Sequence, residues 1–431
     1  MTEKIRNILW AGAAAGTLLL AVSASTYIFP GKEEVHAGEG SEEKISLRMM
    51  YYWGDTDSDI SSRYLKEILD NDFPKAFPDV ELIQETCDNE TYKKKLRVLM
   101  ATDDIPDIMI SYGGGFSENF VNAGKILALD EYLDDFYTEH MDMEYQDNFI
   151  FDGKQYGICY ANWKGVLYCN TELFQKAGAS IPGTYEELLE VCKKFRQADI
   201  EPIALGILNK WQGQQWINNF TIQLGGAEYY KAMAKGEESL DNEIFRKAVD
   251  LTEKLIDADA FCTDMYQLVS GEAEEMFLDG EAAMLYIGSW FTQSAEESLG
   301  DKLAAVKMPE VPGASYPQDY HGGGSNGWLV SADTEYPELA AEIISWLSYE
   351  LSCYQPENAT FKIDEGDAKN KISAVSQDIL NLYSDKADGG IAWDSLMTSD
   401  KADIWLDVCA GLFERRINTE GFIDELKNSI G

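Results

Sequence analysis

The chain has 431 residues, with 35 Lys and Arg against 76 Asp and Glu, for a net charge of −41. Hydrophobic residues make up 45% and aromatics 12%, enough apolar material for a folded core of two or three domain-sized units or one fold with two lobes. So acidic a surface repels polyanions and argues against nucleic acid and against an anionic membrane surface, while of three histidines His36 falls in the leader described below, and the two that remain, His140 and His321, are too few for a multi-histidine metal centre.

Residues 1–40 read as an export leader. Lys4 and Arg6 precede an apolar run at 8–22 (ILWAGAAAGTLLLAV), and Val22-Ser23-Ala24 and Val35-His36-Ala37 offer small-residue cleavage sites. Extended to Phe29, the apolar stretch is about long enough to span a bilayer, so a cleaved leader and a retained anchor both stand. The first cysteine is Cys87, which removes the lipoprotein route of attachment. The remainder reads as a domain outside the cell. Its seven cysteines contain no C-x-x-C pair and favour buried, idle thiols over a disulfide framework, with one disulfide left open.

After a polar tether at 38–44, strand and helix signals alternate. Residues 45–52 (ISLRMMYY) predict a strand, 60–69 a helix capped by Ser58 or Asp59, 80–85 a strand, 90–100 a helix and 107–111 a short buried strand. That order implies βαβ units and a mainly parallel sheet. Thr184 with Glu187 forms a capping-box signature for a helix at 184–195, and 201–205 restarts the strand pattern. Beyond residue 335 the pattern is mostly helical, with amphipathic stretches at 337–351, 372–383 and 421–430.

Several features invite chemical readings. Asp55, Asp57 and Asp59 resemble the start of a calcium loop, but Ile60 and Lys66 stand where such a loop needs Gly and Glu, which favours a solvated, helix-capping loop. Neither Gly113-Gly114-Gly115 nor Gly322-Gly323-Gly324 has phosphate-loop spacing; each is read as backbone brought close to a ligand or a facing lobe, or as a plain turn. A secreted glycosidase would need two carboxylates set across a sugar, which spacing alone does not reveal. Of ten tryptophans, Trp53, Trp163, Trp211, Trp216, Trp290 and Trp328 fall at predicted strand-to-loop junctions. Aromatic platforms ringed by planar polar groups suit a neutral ligand with C–H faces, such as a sugar; Asp55, Asn162, Gln212, Gln215 and Asn326 sit beside these aromatics and are candidates for that rim.

Five segments resemble one family: ATDDIPDI at 101–108, GKILALD at 124–130, FDGKQYGICYANWKGVLYCNTELF at 151–174, TYEEL at 184–188, and FLDGEAAM at 277–284 running on to Gly288-Ser289-Trp290. In this order and spacing they are similar to the carbohydrate-binding solute-binding proteins of ABC importers, the family that includes maltose-binding protein. Cys159 stands for the usual Pro, Cys169 for the usual Tyr, and the leader lacks the lipobox cysteine usual in Gram-positive members. The resemblance implies an α/β fold of the two-lobed periplasmic-binding-protein type (type II), with a hinge between lobes and a helical C-terminal part. It places lobe 1 at 45–162 and 290–331, lobe 2 at 163–289 and 332–431, and crossovers near 163–167, 287–290 and 331. It implies a monomeric extracellular receptor with no cofactor, metal or catalytic residue, which delivers a sugar to an ABC permease in the membrane; coupling to a sensor kinase is the alternative. Trp290 takes the position of a sugar-stacking tryptophan and Trp211 that of a second. Trp53, Tyr112, Trp163 and Asn162 border the cleft, Trp393 closes it from the C-terminal helices, and Asp55 and Asn326 are hydrogen-bonding candidates.

Overall fold

A computed structural model describes residues 44–53, 59–383 and 387–430. The leader, both cleavage sites and most of the acidic loop with Asp55 therefore lie outside the described residues.

The first three sheet strands follow the sequence pattern. β1 (Ile45–Tyr51) pairs in parallel with β2 (Val80–Thr86) and β3 (Ile108–Tyr112), and the intervening helices Ile60–Glu67 and Asn89–Thr102 cover them. Asp59 caps the first helix by accepting from the Ser61 N–H at 2.8 Å, and Asp88 caps the second through the Thr91 N–H at 3.0 Å. A small hairpin, β4 (Ile150–Phe151) with β5 (Lys154–Gln155), leads into β6 (Gly157–Asn170). β7 (Glu201–Ala204) and β8 (Ala282–Gly288) are parallel neighbours, followed by β9 (Leu303–Val306), β10 (Tyr320–Val330) and the two-residue β11 (Gly389–Gly390).

The nine-stranded sheet runs β2-β1-β3-β10-β6-β8-β7, with β9 on β6 and β11 on β10. It is mixed rather than mainly parallel. β6 and β10 are long strands that pass through both lobes, and they pair antiparallel with each other and with β3, β8 and β9. On β6, residues up to Lys164 pair with β10, whereas Gly165–Cys169 pair with β8. On β10, Asn326–Val330 lie against β3, whereas Tyr320 and His321 lie against β11. β6 is buried along almost its whole length, as expected of a strand covered on both faces.

Two cores flank this crossing. The first contains Leu47, Met50, Ile108, Ile110, Trp328 and Val330, together with Ala340, Ile344, Leu347 and Leu351 from the helix Pro337–Tyr354. The second contains Leu188, Phe195, Trp216, Phe220, Phe245, Leu255, Trp393, Trp405, Phe413 and Phe422. A smaller cluster of Val166, Phe277, Ile287, Phe291, Ala295 and Leu299 covers the other face of the second-lobe strands. Two segments near the expected boundaries pack as follows. The chain after Trp290 stays in the second lobe, because the helix Thr292–Leu299 packs there and β9 pairs with Leu167–Asn170. The Pro337–Tyr354 helix belongs to the first lobe, because its buried stripe faces β6 and β10. Beyond Tyr354, the helix Ala374–Leu382 packs against β9 and the Thr292–Leu299 helix.

All seven cysteines are free thiols, six of them buried. Burial pushes the Cys159 and Cys192 thiols up to about 12, which keeps them protonated and unreactive.

Candidate functional site

The site is built where strands end at the junction of the lobes, the usual ligand position in open α/β sheets. Trp53 and Tyr112 follow or end the parallel strands β1 and β3, and Asn326 of β10 is registered directly against Tyr112. Trp163 sits on β6 at the crossing, and Trp290 lies two residues beyond β8. Trp211 opens the helix Trp211–Gly225.

Three tryptophans form a corner. The Trp163 and Trp290 rings are 5.0 Å apart at 72°, and Trp290 and Trp211 are 6.5 Å apart at 48°. Trp163 is buried, while Trp211 and Trp290 remain partly exposed. The Gly288-Ser289-Trp290 segment has a steric reason. A Cβ on Gly288 would sit 1.9 Å from the Trp290 ring, so the ring can fold over the strand end only above a bare backbone. Gly165, paired with Gly288, is equally required, since a Cβ there would meet the Tyr286 hydroxyl.

A second aromatic group belongs to the first lobe. Tyr52 stacks on Tyr112 at 5.6 Å and 15°, and Trp53 lies edge-on to Tyr160 at 5.4 Å. Trp53 donates its indole N–H to Asp59 at 3.1 Å. Tyr112 donates to Asn89, and the Lys93 ammonium lies 4.8 Å above its ring. A hydrogen-bonded chain joins the two groups. The Trp163 indole N–H donates to Ser325 Oγ (2.9 Å), Ser325 donates to Asn326 Oδ1 (3.0 Å), and Asn326 Nδ2 donates to the Tyr52 hydroxyl (2.6 Å), which is 2.8 Å from that of Tyr160. Because each ring is oriented by its neighbour, the surface is organised before any ligand arrives.

Other expected residues fall elsewhere. The polar atoms of Asn162 are committed to protein: its amide donates to the Ala359 carbonyl at 2.6 Å and its oxygen accepts from Lys164. Gln212 accepts from the Gly206 N–H at 2.8 Å, and Gln215 is buried. Trp216 and Trp328 are fully buried core residues. Trp393 does not close the cleft. It is completely buried in the second lobe, stacked on Tyr230 at 5.3 Å and against Trp405 at 4.8 Å. The residues just after it reach the facing lobe instead. Asp394 pairs with Lys93 at 3.4 Å, with side chains only 10% and 12% exposed, and Ser395–Met397 press against Gly114 and Gly115, where a Cβ on Gly115 would lie 2.5 Å from backbone. This run of glycines thus serves the facing lobe. Gly322 and Gly324 lie against the Trp163 and Tyr145 carbonyls, so the second run keeps β10 bare where it crosses β6.

His321 joins this group without a sequence signal for it. It is fully buried edge-on to Trp163 at 4.9 Å, and neither ring nitrogen has a hydrogen-bond partner. Burial pushes its pKa down to about 3, so it is neutral at physiological pH. No local pattern marks it; only the pairing of β10 with β11 and β6 brings it under the tryptophans.

A groove of about 700 Å³ elsewhere on the second lobe is lined by Arg196, Asp259, Tyr266 and Arg415. Its arginines are committed to the Asp259 and Ile256 carbonyls and to Glu201 and Asp259 carboxylates. Among the described residues no group of His, Cys, Asp and Glu is arranged to hold a metal ion, and no helix is long and apolar enough to cross a membrane.

Residues 57–348 match the family model for bacterial extracellular solute-binding proteins. An ABC transporter extracellular-binding protein of Pyrococcus horikoshii is 24% identical over 66% of this chain and 65% of its own length. The maltodextrin-binding protein of Bacillus subtilis is 25% identical over 52% of this chain and 55% of its own length. These alignments thus span less than two thirds of either relative. Among solved structures, one from a study of xylan utilisation by the thermophile Caldanaerobius polysaccharolyticus is 29% identical, with a TM-score of 0.82 over 90% of this chain and 100% of that one. A chitin oligosaccharide binding protein, 19% identical with a TM-score of 0.77 over 89% of this chain and 98% of that one, shares the fold.

Proposed function

The chain belongs to the bacterial extracellular solute-binding proteins, and from that premise we propose that it is a receptor for a neutral oligosaccharide, held at the junction of its lobes and handed to an ABC permease. The observation that carries this reading is the corner of Trp163, Trp290 and Trp211, joined through Ser325 and Asn326 to the first-lobe aromatics. Stacked rings hold the C–H faces of pyranose units, and the hydroxyl and amide groups between them satisfy sugar hydroxyls. Trp290 and Trp211 supply the main platforms, Trp53 and Tyr112 back the first-lobe wall, and Asn326 belongs to the polar rim.

The net charge of −41 suits a neutral ligand and disfavours an anionic one. The protein acts as a monomer, without catalysis. Closing the lobes on ligand shifts an open–closed equilibrium by differential affinity, and the permease reads the closed form. Residues 1–40 carry the chain out of the cell, and N-terminal sequencing of the exported protein separates a cleaved leader from a retained anchor. Because the 29%-identical structure comes from work on xylan utilisation, xylo-oligosaccharides head the ligand panel.

Calorimetric titration with xylo-, malto- and chito-oligosaccharides tests the proposal. Saturable binding to at least one neutral oligosaccharide is expected; binding only to charged solutes, or turnover of a glycoside, would overturn it.

A further inference from the structure

The direction of Trp211 is set by an uncommon piece of backbone. Its N–H donates to the Asn209 carbonyl two residues back at 2.9 Å, around Lys210 at φ +68° and ψ −37°. This is a γ-turn with positive φ, a conformation that a lysine holds only when its surroundings enforce it. The surroundings are visible. Asn209 Nδ2 donates to Ser270 Oγ at 2.9 Å, the Ser270 N–H donates back to Asn209 Oδ1 at 3.2 Å, and the Trp211 indole N–H donates to the same Ser270 Oγ at 3.2 Å. Ser270 is itself fixed. It begins the helix Ser270–Leu278, where Glu272 accepts from the Val269 N–H at 2.9 Å, and the Leu208 N–H ties the two loops together through the Leu268 carbonyl at 3.0 Å. Lys210 forms an ion pair with Asp407 on the helix Ser399–Phe413.

We propose that Asn209 and Ser270 are positioning residues for ligand binding. They clamp the turn and the indole N–H of Trp211, so that its ring stands at 48° to Trp290 and the two rings accept one orientation of the sugar chain. The polar atoms of the clamp are committed to each other and to Trp211, and it acts by sparing the site the cost of ordering a free ring. This inference rests on the reading of Trp211 as a sugar platform.

The test is a double-mutant cycle of Ser270→Ala and Trp211→Ala, titrated with xylotetraose or whichever panel sugar the unmodified protein binds. It is read beside the near-ultraviolet circular dichroism of the ligand-free protein, to which the Trp211–Trp290 pair contributes; the part that the pair supplies is the difference between the unmodified protein and Trp211→Ala. Ser270→Ala is expected to weaken binding about five- to tenfold, the scale of one neutral hydrogen bond. It should also alter the indole bands, and Ser270→Thr should restore both. In the Trp211→Ala background, Ser270→Ala should change neither. Wild-type affinity and spectrum in Ser270→Ala, with Trp211→Ala weakened, would overturn the clamp. If the spectrum changes in Ser270→Ala while neither variant alters affinity, the clamp on the ring stands but its role in binding fails, together with the placement of Trp211 at the ligand.

Discussion

At the scale of single residues, the account turns on side chains that have no freedom to sit elsewhere. Gly288 is the sharpest case, because the Trp290 ring occupies the space a methyl group would need. Gly288→Ala is expected to displace the ring and to weaken sugar binding nearly as much as Trp290→Ala, which should cost about 1–3 kcal/mol as a binding hot spot. Titration of both variants checks this, and full affinity in Gly288→Ala would show that the ring's pose is immaterial. His321 makes a second prediction. Its pKa is about 3 in the fold against 6.5 in the unfolded chain, so between those values the unfolded state holds a proton that the folded state lacks. Stability is therefore intact above pH 6.5 and falls as pH drops, by about 2 kcal/mol at pH 5 from this residue alone. His321→Leu cannot titrate, so its melting temperature should fall less between pH 7 and pH 5 than that of the unmodified protein; parallel profiles would contradict the assignment. The tryptophans were legible as a set, but burial decided among them. Trp393, at 0% exposure, shows that sequence position alone cannot separate a platform from a core ring.

At the scale of elements, local signals read well. The Thr184 capping box is present, with the hydroxyl accepting from the Glu187 N–H at 3.3 Å and the Glu187 carboxylate accepting from the Thr184 N–H at 3.2 Å. Thr184→Ala should cost about 1 kcal/mol, visible as a lowered denaturant midpoint with unchanged slope. The strands at 45–51, 80–86 and 108–112 were legible because apolar runs and caps are written in neighbouring residues. The antiparallel centre was not. β10 contains Gly322-Gly323-Gly324, which carries no strand propensity, and its pairing with β6 joins residues some 160 positions apart. β9 was illegible for the same reason: it looks like any short apolar run until its pairing with Leu167–Asn170 is seen.

At the scale of the whole molecule, the lobes meet at contacts distant in sequence. Besides Lys93–Asp394, Arg97 pairs with Asp403 and Arg63 with Glu297, each at 3.0 Å, and Tyr64 donates to Gln293 at 3.1 Å. The exposed pairs contribute little, but Lys93 and Asp394 are largely desolvated, and removing the lysine takes a counter-charge from a carboxylate that is only 10% exposed. Lys93→Met should therefore favour separation of the lobes, seen as a larger radius of gyration in X-ray scattering without ligand, and Lys93→Met with Asp394→Leu should reverse part of it. An unchanged radius in the single variant would remove this contact from the closing equilibrium. The family segments on the first lobe and around Trp290 let the two-lobed architecture be anticipated, whereas the contacts that hold the lobes together are carried by residues with no local pattern.

The central claim is that a neutral oligosaccharide is gripped by Trp290 and Trp211 at the lobe junction. Thermal unfolding of residues 41–431 with and without xylo-oligosaccharides, set beside the Trp290→Ala/Trp211→Ala double variant, tests it most directly. At a hundredfold excess over the dissociation constant, ligand should stabilise the unmodified protein by about 2.7 kcal/mol and leave the double variant almost unmoved. An equal shift in both proteins would place the ligand away from these rings, and no shift with any neutral sugar would contradict the account.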